Sequence, residues 1–67
     1  MAQGTVKWFS KEKGYGFLIR EEDQSEIFVH YKNIAGEGFR TLAEGASVTF
    51  DVEKSDRGLK AINVTTA

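Results

Sequence analysis

Two short segments of this chain carry bulky apolar or aromatic side chains at both odd and even positions: KGYGFLI, residues 13–19, and IFVHY, residues 27–31. Their residue types favour β-strands, and a strand covered on one face only should alternate apolar with polar side chains. A chain of 67 residues, expected to form a single domain over 1–67, buries only about 60% of the surface that its unfolded form exposes. One face of these strands is therefore expected to lie open to solvent.

Five strand-like segments are separated by turn residues, and no window shows sustained helical periodicity beyond one helical turn near Lys32 to Ile34. The predicted strands are Thr5–Ser10, Tyr15–Arg20, Ile27–Tyr31, Ser47–Glu53 and Leu59–Thr65. Short strands separated by turns are typical of all-β barrels and sandwiches. With five strands and one core we expect a small closed or nearly closed barrel, since closure removes exposed strand edges.

Apolar side chains of one parity can fill the interior of such a barrel. The expected core consists of Val6, Leu18, Ile27, Val29, Ile34, Val48, Phe50, Val52, Ile62 and Val64. Because successive side chains of a strand point to opposite faces, the rings between these positions must point outward. Trp8 follows Val6 at the inward parity, but a β-bulge there would turn Trp8 and Lys7 outward.

The outward set places aromatic rings among cations, and this combination suits one class of ligand. Nucleobases stack on aromatic side chains while lysines follow the phosphates, and stacking requires unpaired bases. The net charge of −1 argues against a nucleic-acid partner, but residues 1–20 carry four basic residues and one acidic residue. Residues 21–26 then carry four acids. A basic stripe on a neutral body is thus possible, with a mixed solvated surface as the alternative.

At these residues the sequence resembles the bacterial cold-shock protein family over essentially the whole chain. KGYGF, 13–17, and IFVHY, 27–31, resemble its two ribonucleoprotein motifs, and GTVKWF and GFRTL (38–42) are also similar to family sequence. The resemblance implies a five-stranded antiparallel OB-type barrel that binds single-stranded, pyrimidine-rich RNA and DNA and acts as an RNA chaperone. The binding positions that it implies are Lys7, Trp8, Lys13, Tyr15, Phe17, Phe28, His30, Tyr31, Phe39 and Arg57.

Four positions depart from the family pattern. Ser10 replaces an asparagine, Tyr15 a phenylalanine, Leu59 a proline and Ile62 an alanine. Leu59 could therefore rest on the binding surface, and the bulkier Ile62 suggests a locally repacked core.

Several alternatives accompany this prediction. The rings could fold over a second small core, Phe39 could pack on its own hairpin, and the lysines could be ordinary solvated charges. The glycines of GYG are expected to let bases approach the sheet. A module for proline-rich peptides would need few cations, and His30 could transfer protons, although no acid–base pair indicates an enzyme such as a ribonuclease.

The remaining expectations are mostly negative. The chain contains no cysteine, which removes disulfides and thiolate metal sites, and we expect no cofactor and no metal. We also expect no membrane association and a cytoplasmic location, because neither a membrane span nor a signal peptide is apparent. The protein is further expected to be a monomer.

Overall fold

The computed structural model describes residues 1–35, 41–56 and 58–66. Five strands and one short 3₁₀ helix, η1 at Tyr31–Asn33, make up the regular structure of these residues. The strands are β1 Ala2–Ser10, β2 Tyr15–Arg20, β3 Glu26–His30, β4 Ser47–Ser55 and β5 Gly58–Thr66. The strand predictions are thus confirmed, although β1 begins three residues earlier, β4 ends two residues later, β5 is longer by one residue at each end, and β3 is shifted by one residue.

The strands close into a barrel in the order β1-β2-β3-β5-β4, with β4 paired to β1. Four of the pairings are antiparallel, and the barrel closes through a parallel contact between Phe28 of β3 and Lys60 of β5. A second parallel bridge, Ile34 with Val64, extends this seam. The expected small OB-type barrel is confirmed. Among the residues that the structure describes, no helix is long and apolar enough to cross a membrane.

The core lies inside the barrel and contains most of the predicted side chains. It is made of Val6, Leu18, Ile27, Val29, Ile34, Leu42, Val48, Phe50, Ala61 and Val64. Leu42, from the connection before β4, was not predicted. Val52, expected in the core, is only partly buried and packs against it.

The prediction for β5 was wrong at Ile62, which is half-buried and lies outside the core cluster, whereas Ala61 is fully buried. The cause is an irregularity near Asn63, whose φ of 53° lies in the left-handed region. Between Thr49 and Asp51, β4 advances by two residues while β5 advances by three. An extra residue in one strand shifts the alternation by one. Ala61 and Val64 therefore both face inward, and no repacking of the core around Ile62 is needed.

The glycines of GYG are required by close contacts within the protein itself. Gly16 is buried, and a Cβ at this position would collide with the Trp8 carbonyl oxygen and lie 2.7 Å from the Phe9 Cα. Gly14 has φ 77°, and its Cβ would lie 2.9 Å from Cδ1 of Tyr31. The missing side chains thus allow close approach of β1 and of the Tyr31 ring. The expectation that they also let bases approach the sheet stays a prediction.

The turn between β2 and β3 is held by ionic and polar contacts. Arg20 donates from Nε to Asp23 Oδ1 at 3.0 Å and from Nη2 to Oδ2 at 2.8 Å. Ser25 donates to the same carboxylate from its backbone N–H at 3.1 Å and from its hydroxyl at 2.7 Å. The Arg20 hydrogen bonds first, and those of Ser25 second, hold the pKa of Asp23 well below its usual range. Asp23 therefore stays ionised except in acid, and its carboxylate holds the turn at one end of the barrel.

Candidate nucleic-acid interface

Six rings lie on the outer surface of three adjacent strands and the following 3₁₀ turn. We call this surface the aromatic face and define it by Trp8, Tyr15, Phe17, Phe28, His30 and Tyr31. Strand parity explains it on β2 and β3, where Leu18 and Ile27 are fully buried and their neighbours Phe17 and Phe28 are half-buried on the opposite side. Phe17 and Phe28 are also direct cross-strand partners.

Four rings of the aromatic face, those of Trp8, Tyr15, Phe17 and Phe28, contact one another in a connected network, and His30 and Tyr31 form a separate pair. The ring centroids of Trp8 and Phe17 are 5.5 Å apart, and those of Phe17 and Phe28 are 5.7 Å apart. Tyr15 lies 6.0 Å from Trp8 and 5.7 Å from Phe28. The Trp8–Tyr15 and Phe17–Phe28 pairs pack edge to face, and the other two pairs are tilted by 39° and 50°. Such contacts stabilise the rings in these positions.

Trp8 reaches this face because of a bulge in β1. Val6 pairs with Leu18, but Trp8 pairs with Phe17, so β1 has one more residue than β2 between these positions. Val6 therefore stays buried while Lys7 and Trp8 are both exposed, with Trp8 at 36%. The predicted bulge is confirmed.

Tyr31 is tied to the loop between β1 and β2. Its backbone N–H donates to the Gly14 carbonyl at 2.8 Å, and its ring fills the space left by the missing Gly14 side chain. The His30 ring lies 4.6 Å from the Tyr31 ring, and His30 Nδ1 accepts a hydrogen bond from the Lys32 backbone N–H at 3.2 Å. In the same loop, the Ser10 hydroxyl accepts a bond from the Lys13 N–H at 3.2 Å. These contacts fix the position of the loop that carries Lys11 and Lys13.

The basic side chains near the aromatic face differ in their partners. Lys7 Nζ lies 3.1 Å from the Glu26 carboxylate, and Lys60 Nζ lies 3.4 Å from that of Glu53. The exposed Lys13 has no carboxylate partner within 4.0 Å among the described residues. Lys13 is therefore free to meet a phosphate, whereas Lys7 starts from an ion pair.

A groove of about 840 Å³ borders the aromatic face where β3 meets the β4–β5 hairpin. It is lined by Tyr15, Phe17, Glu26, Phe28, Ser55, Asp56, Gly58, Leu59 and Lys60. Leu59 thus lines the surface beside the rings, as we expected from the sequence. The groove extends the aromatic face toward β5.

The structure brings together eight of the ten positions that the sequence singled out. Those eight are Lys7, Trp8, Lys13, Tyr15, Phe17, Phe28, His30 and Tyr31. Phe39 and Arg57 lie outside the described residues. The sequence reasoning missed Glu26 and Lys60 as neighbours of the rings. Glu26 shares the parity of Phe28 and could have been found from that spacing. Lys60 meets Phe28 through a parallel pairing that no local pattern indicates.

The fold and the face together define a class: a small OB-type barrel with aromatic rings and lysines on one exterior surface. Comparison with known proteins makes this specific. A family model described as the 'Cold-shock' DNA-binding domain matches residues 2–67. The chain is 58% identical over 64 residues to "Cold shock protein 1" of Lactiplantibacillus plantarum, which covers 96% of each chain.

Other relatives agree. The chain is 54% identical over 61 residues to "Cold shock-like protein CspA" of Shewanella violacea, covering 91% of this chain and 87% of that protein. The solved structure titled "drosophila Unr CSD456" superposes with a TM-score of 0.79 at 27% identity. That match covers 98% of this chain and 26% of the other. The chain belongs to the cold-shock domain family, whose members bind nucleic acid and are not enzymes. The expectation of a non-enzymatic function is confirmed, and the ribonuclease alternative is rejected.

Proposed function

We propose that this protein binds single-stranded RNA and DNA by stacking unpaired bases on the aromatic face. The observation that carries the proposal is the connected network of outward rings, with neighbouring centroids 5.5 to 6.0 Å apart. Each base that stacks on such a ring contributes about 1–3 kcal/mol. A duplex hides the faces of its bases, so this surface favours unpaired strands.

Cations supply the phosphate contacts in this proposal. Lys13 is held beside the rings by the loop contacts of Gly14 and Tyr31. Lys7 and, from the family resemblance, Phe39 and Arg57 complete the proposed interface. His30 acts as a stacking ring, because its imidazole lies 4.6 Å from the Tyr31 ring on the same face.

Binding of this kind makes the protein an RNA chaperone by mass action. A protein that binds only the unpaired form of a strand, at 100 times its dissociation constant, shifts the pairing equilibrium by about 2.7 kcal/mol per site. That is enough to open weak hairpins and leave stable duplexes intact. The preference for pyrimidine-rich strands, the monomeric state and the cytoplasmic location stay predictions.

A fluorescence titration tests the proposal directly. Trp8 is the only tryptophan in the chain and lies on the aromatic face, so oligothymidine should quench its emission. The association constant should fall as salt rises, with a log–log slope near −0.7 per phosphate neutralised. Duplex DNA of equal length should compete poorly, and oligoadenosine should bind more weakly than oligothymidine. Affinity for oligothymidine that is flat with salt would instead favour the peptide-binding alternative. Unchanged fluorescence at saturation, with binding seen by another probe, would remove Trp8 from the site.

A further inference from the structure

The ion pair between Lys7 and Glu26 lies at the border of the aromatic face. Lys7 sits in the β1 bulge, and Glu26 begins β3 opposite Ile19 of β2. The 3.1 Å contact between Lys7 Nζ and Glu26 Oε1 therefore spans β2 beside Phe17. Both side chains are about half exposed, at 47% and 53%, so a ligand can reach either of them.

We propose that Glu26 is an internal competitor of phosphate: it occupies Lys7 in the free protein and thereby lowers affinity for single strands. This inference rests on the proposed function. A phosphate that contacts Lys7 must first replace the Glu26 carboxylate, which is then left near the incoming negative charge. The energy of the intramolecular pair is subtracted from the energy of binding. Lys13, which has no such partner among the described residues, carries no comparable cost.

The competition also predicts how affinity responds to salt. Salt weakens the contact between phosphate and Lys7, but it weakens the exposed Lys7–Glu26 pair as well. As salt rises, Lys7 is thus progressively released from Glu26, and this release offsets part of the loss of affinity for the strand. The wild-type protein should therefore show a shallower salt dependence than a protein in which Lys7 is permanently free.

The alternative function for Glu26 predicts the opposite sign. A carboxylate is an acceptor only, and Glu26 lines the groove beside Phe17 and Phe28. If Glu26 accepted a hydrogen bond from a base N–H group, its removal would weaken binding. The direction of the change in affinity therefore separates the two.

The test measures the anisotropy of a labelled oligothymidine with wild-type protein and Glu26→Gln over a series of salt concentrations. An exposed ion pair is worth about 0.2–1 kcal/mol, so Glu26→Gln should bind about 1.5- to 5-fold more tightly at low salt. Its log–log slope should be steeper by up to about 0.7. Glu22→Gln makes the same charge change in a depression with Met1, Ala2 and Arg20 at the other end of β1, and it reports the effect of net charge alone.

A double-mutant cycle shows whether Lys7 carries the effect. Lys7→Gln should weaken binding, and Glu26→Gln added to Lys7→Gln should give no tightening beyond that of Glu22→Gln. The inference would be overturned if Glu26→Gln still tightened binding in full without Lys7, or if Glu26→Gln alone weakened binding. Either result would leave the proposed function intact, as long as the wild-type protein binds single strands. A wild-type protein that binds no single strand at any salt would overturn both.

Discussion

Replacing Phe28 by alanine should lower both the affinity for single strands and the stability of the barrel, and two further variants should separate these effects. Phe28 is half-buried, and its ring contacts those of Tyr15 and Phe17, each at a centroid distance of 5.7 Å. Aromatic pairs contribute about 0.5–1.5 kcal/mol each beyond the burial of area. Losing two pairs should lower the free energy of unfolding by about 1–3 kcal/mol. Phe28 therefore also contributes to the stability of the barrel.

The loss of affinity should be of the same order but should have a separate origin. One stacked base contributes about 1–3 kcal/mol, which corresponds to about a 5- to 150-fold increase in the dissociation constant. A chain of 67 residues has a stability of roughly 3–10 kcal/mol, so Phe28→Ala should still be mostly folded. Phe28→Leu provides a second variant that keeps most of the apolar packing and has no ring, and it should lose affinity with less loss of stability.

The control is the neighbouring residue on the other side of the same strand. Ile27 is fully buried, and Ile27→Val should cost about 0.5–1.5 kcal/mol of stability and leave affinity unchanged. Urea unfolding gives the stabilities, and anisotropy of a labelled oligothymidine gives the affinities. The reasoning would be refuted if folded Phe28→Ala and Phe28→Leu bound as tightly as wild type, or if Ile27→Val weakened binding equally.

Two further predictions concern the barrel itself. Gly16→Ala should strongly destabilise the fold, because its Cβ meets the Trp8 carbonyl oxygen and the Phe9 Cα, and a urea midpoint equal to that of wild type would contradict this. The pKa of Asp23 is lower in the folded state than in the unfolded state because Arg20 donates hydrogen bonds to its carboxylate. The stabilisation that Asp23 gives to the folded state is therefore complete above its unfolded pKa of about 3.9. It is lost progressively as the pH falls below that value. Between pH 5 and a pH of about 2.5, the melting temperature of Asp23→Asn should accordingly fall less than that of wild type. Equal falls would refute the assignment of this effect to Asp23.

Much of the fold follows from local pattern, because each strand has one inward parity that the barrel must bury. On β2 and β3 the alternation is unbroken, and Leu18, Ile27 and Val29 are buried as predicted. The same parity places Phe17 and Phe28 outward. The aromatic face could thus be predicted from the period of two together with the small size of the chain.

The errors lie where an extra residue interrupts that period. In β5 the irregularity near Asn63 moves Ala61 into the core and Ile62 out of it. The local sequence predicts neither change, because isoleucine is the more apolar of the two residues and alanine is the smaller. Leu42 was missed for a different reason, since it comes from a connection without strand periodicity and its burial depends on where that connection crosses the barrel.

The extra residue in β1 affects both the core of the barrel and the aromatic face. In β1 the extra residue leaves Val6 in the core and turns Lys7 and Trp8 outward together. A regular strand would have placed Trp8 on the side of Val6, and a barrel of this size has no room inside for an indole as well as Phe50. The bulge therefore resolves a packing conflict and, by the same step, supplies the face with its largest ring and a cation beside it. Because that cation reaches Glu26 across β2, the position of the bulge also sets how freely Lys7 can meet a phosphate.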